Sequence, residues 1–132
     1  MSEDNRRAAI RWMEEIWNQR RVEVVDELMA PHATGHMEGA VINGPEDFRA
    51  MRQQLLTAFP DLHVHVEETI ADRDIVALRW RLHGTHLGEA MDLKPSGRRI
   101  DAVGTTWFRF ADGKIVEGRD TWNQGALFAS LA

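Results

Sequence analysis

Asp120 is the residue of this chain best suited to chemistry. It closes the strand-like run Lys114-Ile115-Val116-Glu117-Gly118-Arg119-Asp120, which follows an Asp112-Gly113 hairpin turn, and it shares the parity of Val116. If that parity marks the inner face of a sheet, the run carries a carboxylate into an apolar interior. Loss of water disfavours the charged form and moves a carboxyl pKa toward neutrality, where one group can both take and return a proton. The plainer reading is a buried acid satisfied by backbone N–H groups or by its neighbour Arg119.

The histidines come next. His36 is placed to line the mouth of a pocket and polarise a carbonyl, against the simpler reading of a surface histidine. His32 and His36 stand four apart around Pro31 and Gly35 in an expected loop, and no acid at a matching spacing completes a ligand set, so no metal is implied. In Gly84-Thr85-His86-Leu87-Gly88, His86 reads first as an anchor for a strand end and second as a substrate contact; the glycines supply turn chemistry and not a phosphate cradle. Trp80, inward by parity, offers a flat wall to an aromatic ligand or simply fills the core. Trp17, Met51 and Phe59, at helical spacing with Met13 and Leu55, are core first and pocket lining second.

Composition limits what these residues can be asked to do. The 132 residues are enough for one domain (1–132) with a real core and an internal pocket. A net charge of −5, with basic and acidic residues interspersed, gives no field for a polyphosphate, so nucleic acid is not an expected partner. With no cysteine there is neither a disulfide nor a thiolate metal site. No apolar run has the length of a membrane span, and the opening residues lack a signal-peptide core; a cytoplasmic protein is expected. With no tyrosine, a phenolic oxyanion donor is excluded, which argues against a ketosteroid-isomerase-like enzyme.

Elements that could position these groups follow from periodicity. Ala8, Ala9, Trp12, Met13, Ile16 and Trp17 make one apolar face of a helix over 4–18, and a shorter helix over 22–29 ends before Pro31. A short irregular strand is expected over 33–38. Gly44-Pro45-Glu46-Asp47 opens a third helix, closed by Pro60-Asp61. From Leu62 the period changes to two. Strands are expected over 62–67, 76–83, 98–111 and 114–122, with the Met91–Gly97 stretch a loop and the tail after Gln124 helical. Even-numbered residues are the more apolar on all four strands, which puts Trp80, Gly104, Thr106, Gly118 and Asp120 inside. His63, His65, Glu67, Arg79, Arg81, His83, Trp107 and Arg109 then lie outside, on a face suited to a homodimer or tetramer contact.

Helices followed by a meander of long strands imply an α+β fold, with helices covering one face of a curved antiparallel sheet and a pocket between the layers. This order, together with Gly84-Thr85-His86-Leu87-Gly88, Pro95-Ser96-Gly97-Arg98-Arg99 and Asp112-Gly113-Lys114-Ile115-Val116-Glu117 leading to Asp120, resembles the SnoaL-like polyketide cyclase family of the nuclear-transport-factor-2-like fold, a cone. Phe59-Pro60-Asp61-Leu62 and His36 fit less specifically, and the resemblance covers nearly the whole chain.

The resemblance implies a cofactor-free intramolecular aldol cyclisation of a small aromatic or polyketide ester, with Asp120 as general acid/base and a small hydrophobic or aromatic ligand as partner. Characterised cyclases carry polar side chains, including a histidine, on the strand beside this aspartate. Here the facing positions are Gly104 and Thr106, so a hydroxyl remains and the glycine leaves space. Two other readings of the same fold remain: a non-catalytic small-ligand-binding module, and an epoxide-hydrolase-like enzyme, which lacks an inward arginine to work with Asp120.

Overall fold

The computed structural model describes residues 2–90 and 92–131. Met91, which opens the expected loop, lies outside the described residues. In chain order the elements are α1 (Ser2–Arg11), a π-helical continuation (Trp12–Asn18), α2 (Val24–Leu28), β1 (Met29–Met37), β2 (Ala40–Asn43), α3 (Gly44–Ala58), β3 (His63–Asp72), β4 (Ile75–Thr85), β5 (Arg99–Ala111), β6 (Lys114–Thr121) and α4 (Gln124–Ala129). No helix is long and apolar enough to cross a membrane.

The helical elements start where local chemistry starts them. Glu3 and Asp4 in the first turn of α1 complement the positive end of the helix dipole. In α3, Pro45 occupies the first turn, where its missing N–H costs nothing, and Asp47 reaches back to accept the Asn43 N–H at 2.9 Å. The first helix does not stay α-helical over its whole length. At Trp12 it widens to a π-helix, whose inward residues Trp12, Met13, Ile16 and Trp17 are all buried.

One six-stranded sheet runs in the order β2-β1-β6-β5-β4-β3. The α+β class stands, but the antiparallel cone is corrected in two respects. β1 pairs parallel with β6, which makes the sheet mixed. The sheet is also open: β2 and β3 form its two edges and do not pair, so it does not close or curl into a cone. A parallel pair needs a crossover, and here β1 reaches its place beside β6 directly from α2, long before the meander is made. As expected, Pro31 follows the end of α2 at Leu28. It lies inside β1, where pairing with β6 is interrupted between Met29 and Thr34, so its missing N–H removes no ladder bond there.

Bulges also break the uniform even parity. In β3 the register shifts between Val66 and Glu68, after which Thr69 and Ala71 face Leu78 and Val76. Ile70 is thereby turned out and is 68 % exposed. In β6 the shift lies opposite Arg109 and Phe110, so that Ile115 and, beyond the bulge, Gly118 and Asp120 share the inner face. Helices and the inner sheet face enclose one apolar core, from Ala9 and Ile16 across to Val76, Leu78 and Phe108. On the outer face His63, His65 and His83 gather with ring centroids 4.4 to 5.5 Å apart, beside ion pairs of Arg79 and Arg81 with Glu67. Trp107 on that face is 44 % exposed.

Candidate active site

Three adjacent strands bring the polar centre together. Leu78 of β4 faces Thr106 of β5, and Thr106 faces Asp120 of β6. Trp80 stands directly opposite Gly104, one diagonal step from Thr106. A continuous hydrogen-bonded chain results: the Trp80 indole N–H donates to Thr106 Oγ1 at 2.8 Å, and the Thr106 hydroxyl donates to Asp120 Oδ1 at 2.7 Å. Thr106 is 2 % exposed.

Gly104 does not leave space beside the aspartate. A Cβ built on it would lie 2.5 Å from two ring atoms of Trp80 and 2.9 Å from the Thr121 carbonyl oxygen. The indole has taken that volume, which the absence of a side chain at 104 permits. Gly104 therefore acts by admitting Trp80 and is not among the cavity-lining residues.

A cavity of about 110 Å³ opens between the helices and the inner sheet face. Its size is near that of an apolar cavity able to hold a single aromatic ring. Asp120, His36, Trp80, Thr106, Trp17, Met51 and Phe59 all line it, as do Trp12 and Met13. Among the described residues no lysine or arginine belongs to the lining. Arg79 and Arg81 sit on the outer face, tied to Glu67, Glu68 and Asp101.

Burial in these walls pushes the Asp120 carboxyl up to about 6, partly offset by the Thr106 hydrogen bond, which favours the charged form. Arg119 is not its partner, since that guanidinium pairs with Glu117. Asp120 is thus a carboxyl held near neutrality by apolar surroundings and oriented by one hydroxyl.

His86 is placed elsewhere. It is 0 % exposed and absent from the cavity lining. Its Nδ1 accepts the Ser96 N–H at 3.2 Å and lies 2.9 Å from Ser96 Oγ, while its backbone bonds Arg98 and Gly97. This fixes the end of β4 to the Pro95-Ser96-Gly97 turn. Gly88 completes the motif by letting the chain pass α3: a Cβ there would run into the Thr57 carbonyl.

Sequence reasoning missed Thr34, Met37, Ile42, Trp122 and Gln124, which also line the cavity. Trp122 packs edge-on to Trp80 with centroids 5.8 Å apart. Its signal was available, for it lies two residues beyond Asp120 on the same parity. The β1–β2 hairpin was signalled by Glu38-Gly39, with Gly39 at φ +75°. His32 and His36 lie in β1, not in a loop, and among the described residues no three His, Cys, Asp or Glu side chains are grouped to hold a metal ion.

Comparison with known proteins matches residues 7–131 to the family model of SnoaL-like polyketide cyclases. The chain belongs to that family. Among its relatives, the SnoaL-like chain is 31 % identical over 116 residues to the aklanonic acid methyl ester cyclase AcmA of Streptomyces galilaeus, covering 86 % of this chain and 81 % of that protein. The corresponding cyclase DauD of Streptomyces sp. strain C5 is 29 % identical over 118 residues, covering 84 % and 71 %. A structure from Jannaschia sp. CCS1, described as a candidate SnoaL-like polyketide cyclase, superposes with a TM-score of 0.91 at 27 % identity over 98 % of this chain and 92 % of that one. AclR of Streptomyces galilaeus, described as a candidate hydroxylase, gives 0.86 at 27 % identity, over 99 % and 82 %. Family membership supports a catalytic role; the reaction has to be argued from the site.

Proposed function

We propose that the protein closes a ring within a small, uncharged aromatic or polyketide ester by cofactor-free aldol addition, with Asp120 as the acid/base. The observation that carries this reading is the Asp120 carboxyl, lining an apolar cavity and brought to about 6 by desolvation. At neutral pH such a group is mostly ionised yet still basic enough to be useful. It takes the proton from a carbon flanked by carbonyls. The electron pair released on that carbon attacks a second carbonyl carbon of the same molecule, forming the C–C bond and pushing the carbonyl π pair onto oxygen. Protonated Asp120 returns its proton to that alkoxide, so no atom is gained or lost.

Trp17, Trp80, Met51 and Phe59 are assigned to holding the substrate; His36, expected from the sequence to polarise a carbonyl, pairs in register with Arg119 and exposed Val41 on the outer face and takes no part. Fixing both reacting carbons in one cavity supplies rate beyond that of the proton transfer. The absence of a lining cation favours an ester over a free acid, which would bring an unpaired negative charge beside Asp120. Relatives named as methyl ester cyclases agree with that choice. The outward placement of Arg79 and Arg81 weighs against an epoxide-hydrolase relay.

Assay against a panel of neutral polyketide methyl esters provides the test. Asp120→Asn is expected to lose roughly 10²-fold or more in ring closure with an unchanged circular-dichroism spectrum. Equal turnover by the variant overturns the assignment. A wild-type protein that binds the esters but converts none is a binding module.

A further inference from the structure

We propose that Thr106 is the positioning residue of this site: held by Trp80, its hydroxyl commits one oxygen of Asp120 and leaves proton exchange to the other. This rests on the reading of Asp120 as the acid/base. A threonine hydroxyl has one proton and two acceptor lone pairs, and it rotates unless its surroundings fix it. Indole N–H can only donate, so at 2.8 Å from Trp80 Nε1 the Thr106 oxygen must accept. The single hydroxyl proton is then free for Asp120 Oδ1, 2.7 Å away. Neither bond can reverse while Asp120 is ionised, because a carboxylate has no proton to give.

Burial completes the lock. With Thr106 2 % exposed, bulk water has little access to its hydroxyl. β-Branching limits the rotation of the side chain, and the facing register of Thr106 and Asp120 fixes its reach. Trp80 holds its position only because residue 104 has no Cβ. Among the described residues Oδ2 has no protein donor. A proton arriving at Asp120 therefore sits on Oδ2, since on Oδ1 it would confront the Thr106 proton. Abstraction and return occur at a single atom, which gives the acid/base one direction of approach.

The arrangement is distinguished from plain packing by the titration of the carboxyl. Protein carrying ¹³C-labelled aspartate carboxyls is titrated by NMR, with Asp120→Asn assigning the signal. Thr106→Val keeps the shape of the side chain and removes the donor, so the Asp120 midpoint is expected to rise by about one pH unit. Thr106→Ser is expected to restore the wild-type midpoint. Trp80→Phe, which removes the fixing N–H together with the part of the ring over Gly104, is expected to fall between them, and the acid limb of the rate profile to move with the midpoint. An unmoved midpoint in Thr106→Val, or a serine variant that titrates like the valine one, overturns the proposal. The midpoint is read without turnover, so failure of the cyclase reading would show separately, as a wild type that closes no ring.

Discussion

Asp120 links the chemistry to the stability of the protein. Its folded-state pKa, about 6, lies above the ordinary aspartate value of 3.8, so between these values the native state holds a proton that the unfolded chain has released. Stability from this group is therefore greatest below about pH 4, falls as pH rises, and is lost above about pH 6. The rise from 3.8 to about 6 corresponds to roughly 3 kcal/mol, an upper bound given solvent screening. Glu15 and Asp61 act in the opposite sense, since both are held below their ordinary values and lose their contribution as pH falls. Subtracting the two proteins isolates the effect: denaturant unfolding from pH 4 to 8 should show Asp120→Asn gaining on wild type by on the order of 2–3 kcal/mol as pH rises. A constant difference across that range would mean that the carboxyl titrates as an ordinary surface acid.

At the scale of elements, one bulge decides which residue enters the cavity. Ala111 faces Lys114 and Phe110 faces Ile115, so uninterrupted alternation would turn Ile115, Glu117 and Arg119 inward. The extra residue at Val116 shifts the phase, and Gly118 and Asp120 face in instead. Alternation in the sequence put Asp120 on the inner face through the parity it shares with Val116, which is itself the extra residue of the bulge. It could not reveal that buried Ile115 belongs to the opposite parity. The Gly104 contact was equally illegible, since periodicity says which face a glycine lies on but not which neighbour has moved over it. Restoring a methyl group there tests the account. Gly104→Ala should push Trp80 off Thr106, cost about 1–3 kcal/mol in denaturant unfolding and alter the near-ultraviolet tryptophan signal. An alanine variant with wild-type stability and an unchanged tryptophan signal would show that the indole is not confined by the strand beneath it.

The whole molecule explains why the layers were legible and the sheet topology was not. Apolar stripes on α1 and α3 and alternation in β4 and β5 each announce a buried face, and the packed layers follow from satisfying all of them at once. Strand neighbours that are distant in sequence leave no such trace. The parallel pairing of β1 with β6 joins Gly35 to Gly118 and His36 to Arg119, positions whose side chains carry no cross-strand signature. That pairing nonetheless brings β1, through Gly35 and Met37, to the cavity that Asp120 and Trp80 line from the other strands. The cavity walls come from the π-helix, α3 and strands across the sheet, so a bound ligand would bridge both layers. An uncharged aromatic ester at about 100 times its Kd should therefore raise unfolding free energy by about 2.7 kcal/mol. Binding should also change the emission of Trp12, Trp17, Trp80 and Trp122, all of which line the cavity. The corresponding free acid, which meets no lining cation, should do neither at the same concentration at neutral pH. Equal stabilisation by acid and ester would place the ligand outside this cavity and remove the charge argument for the substrate.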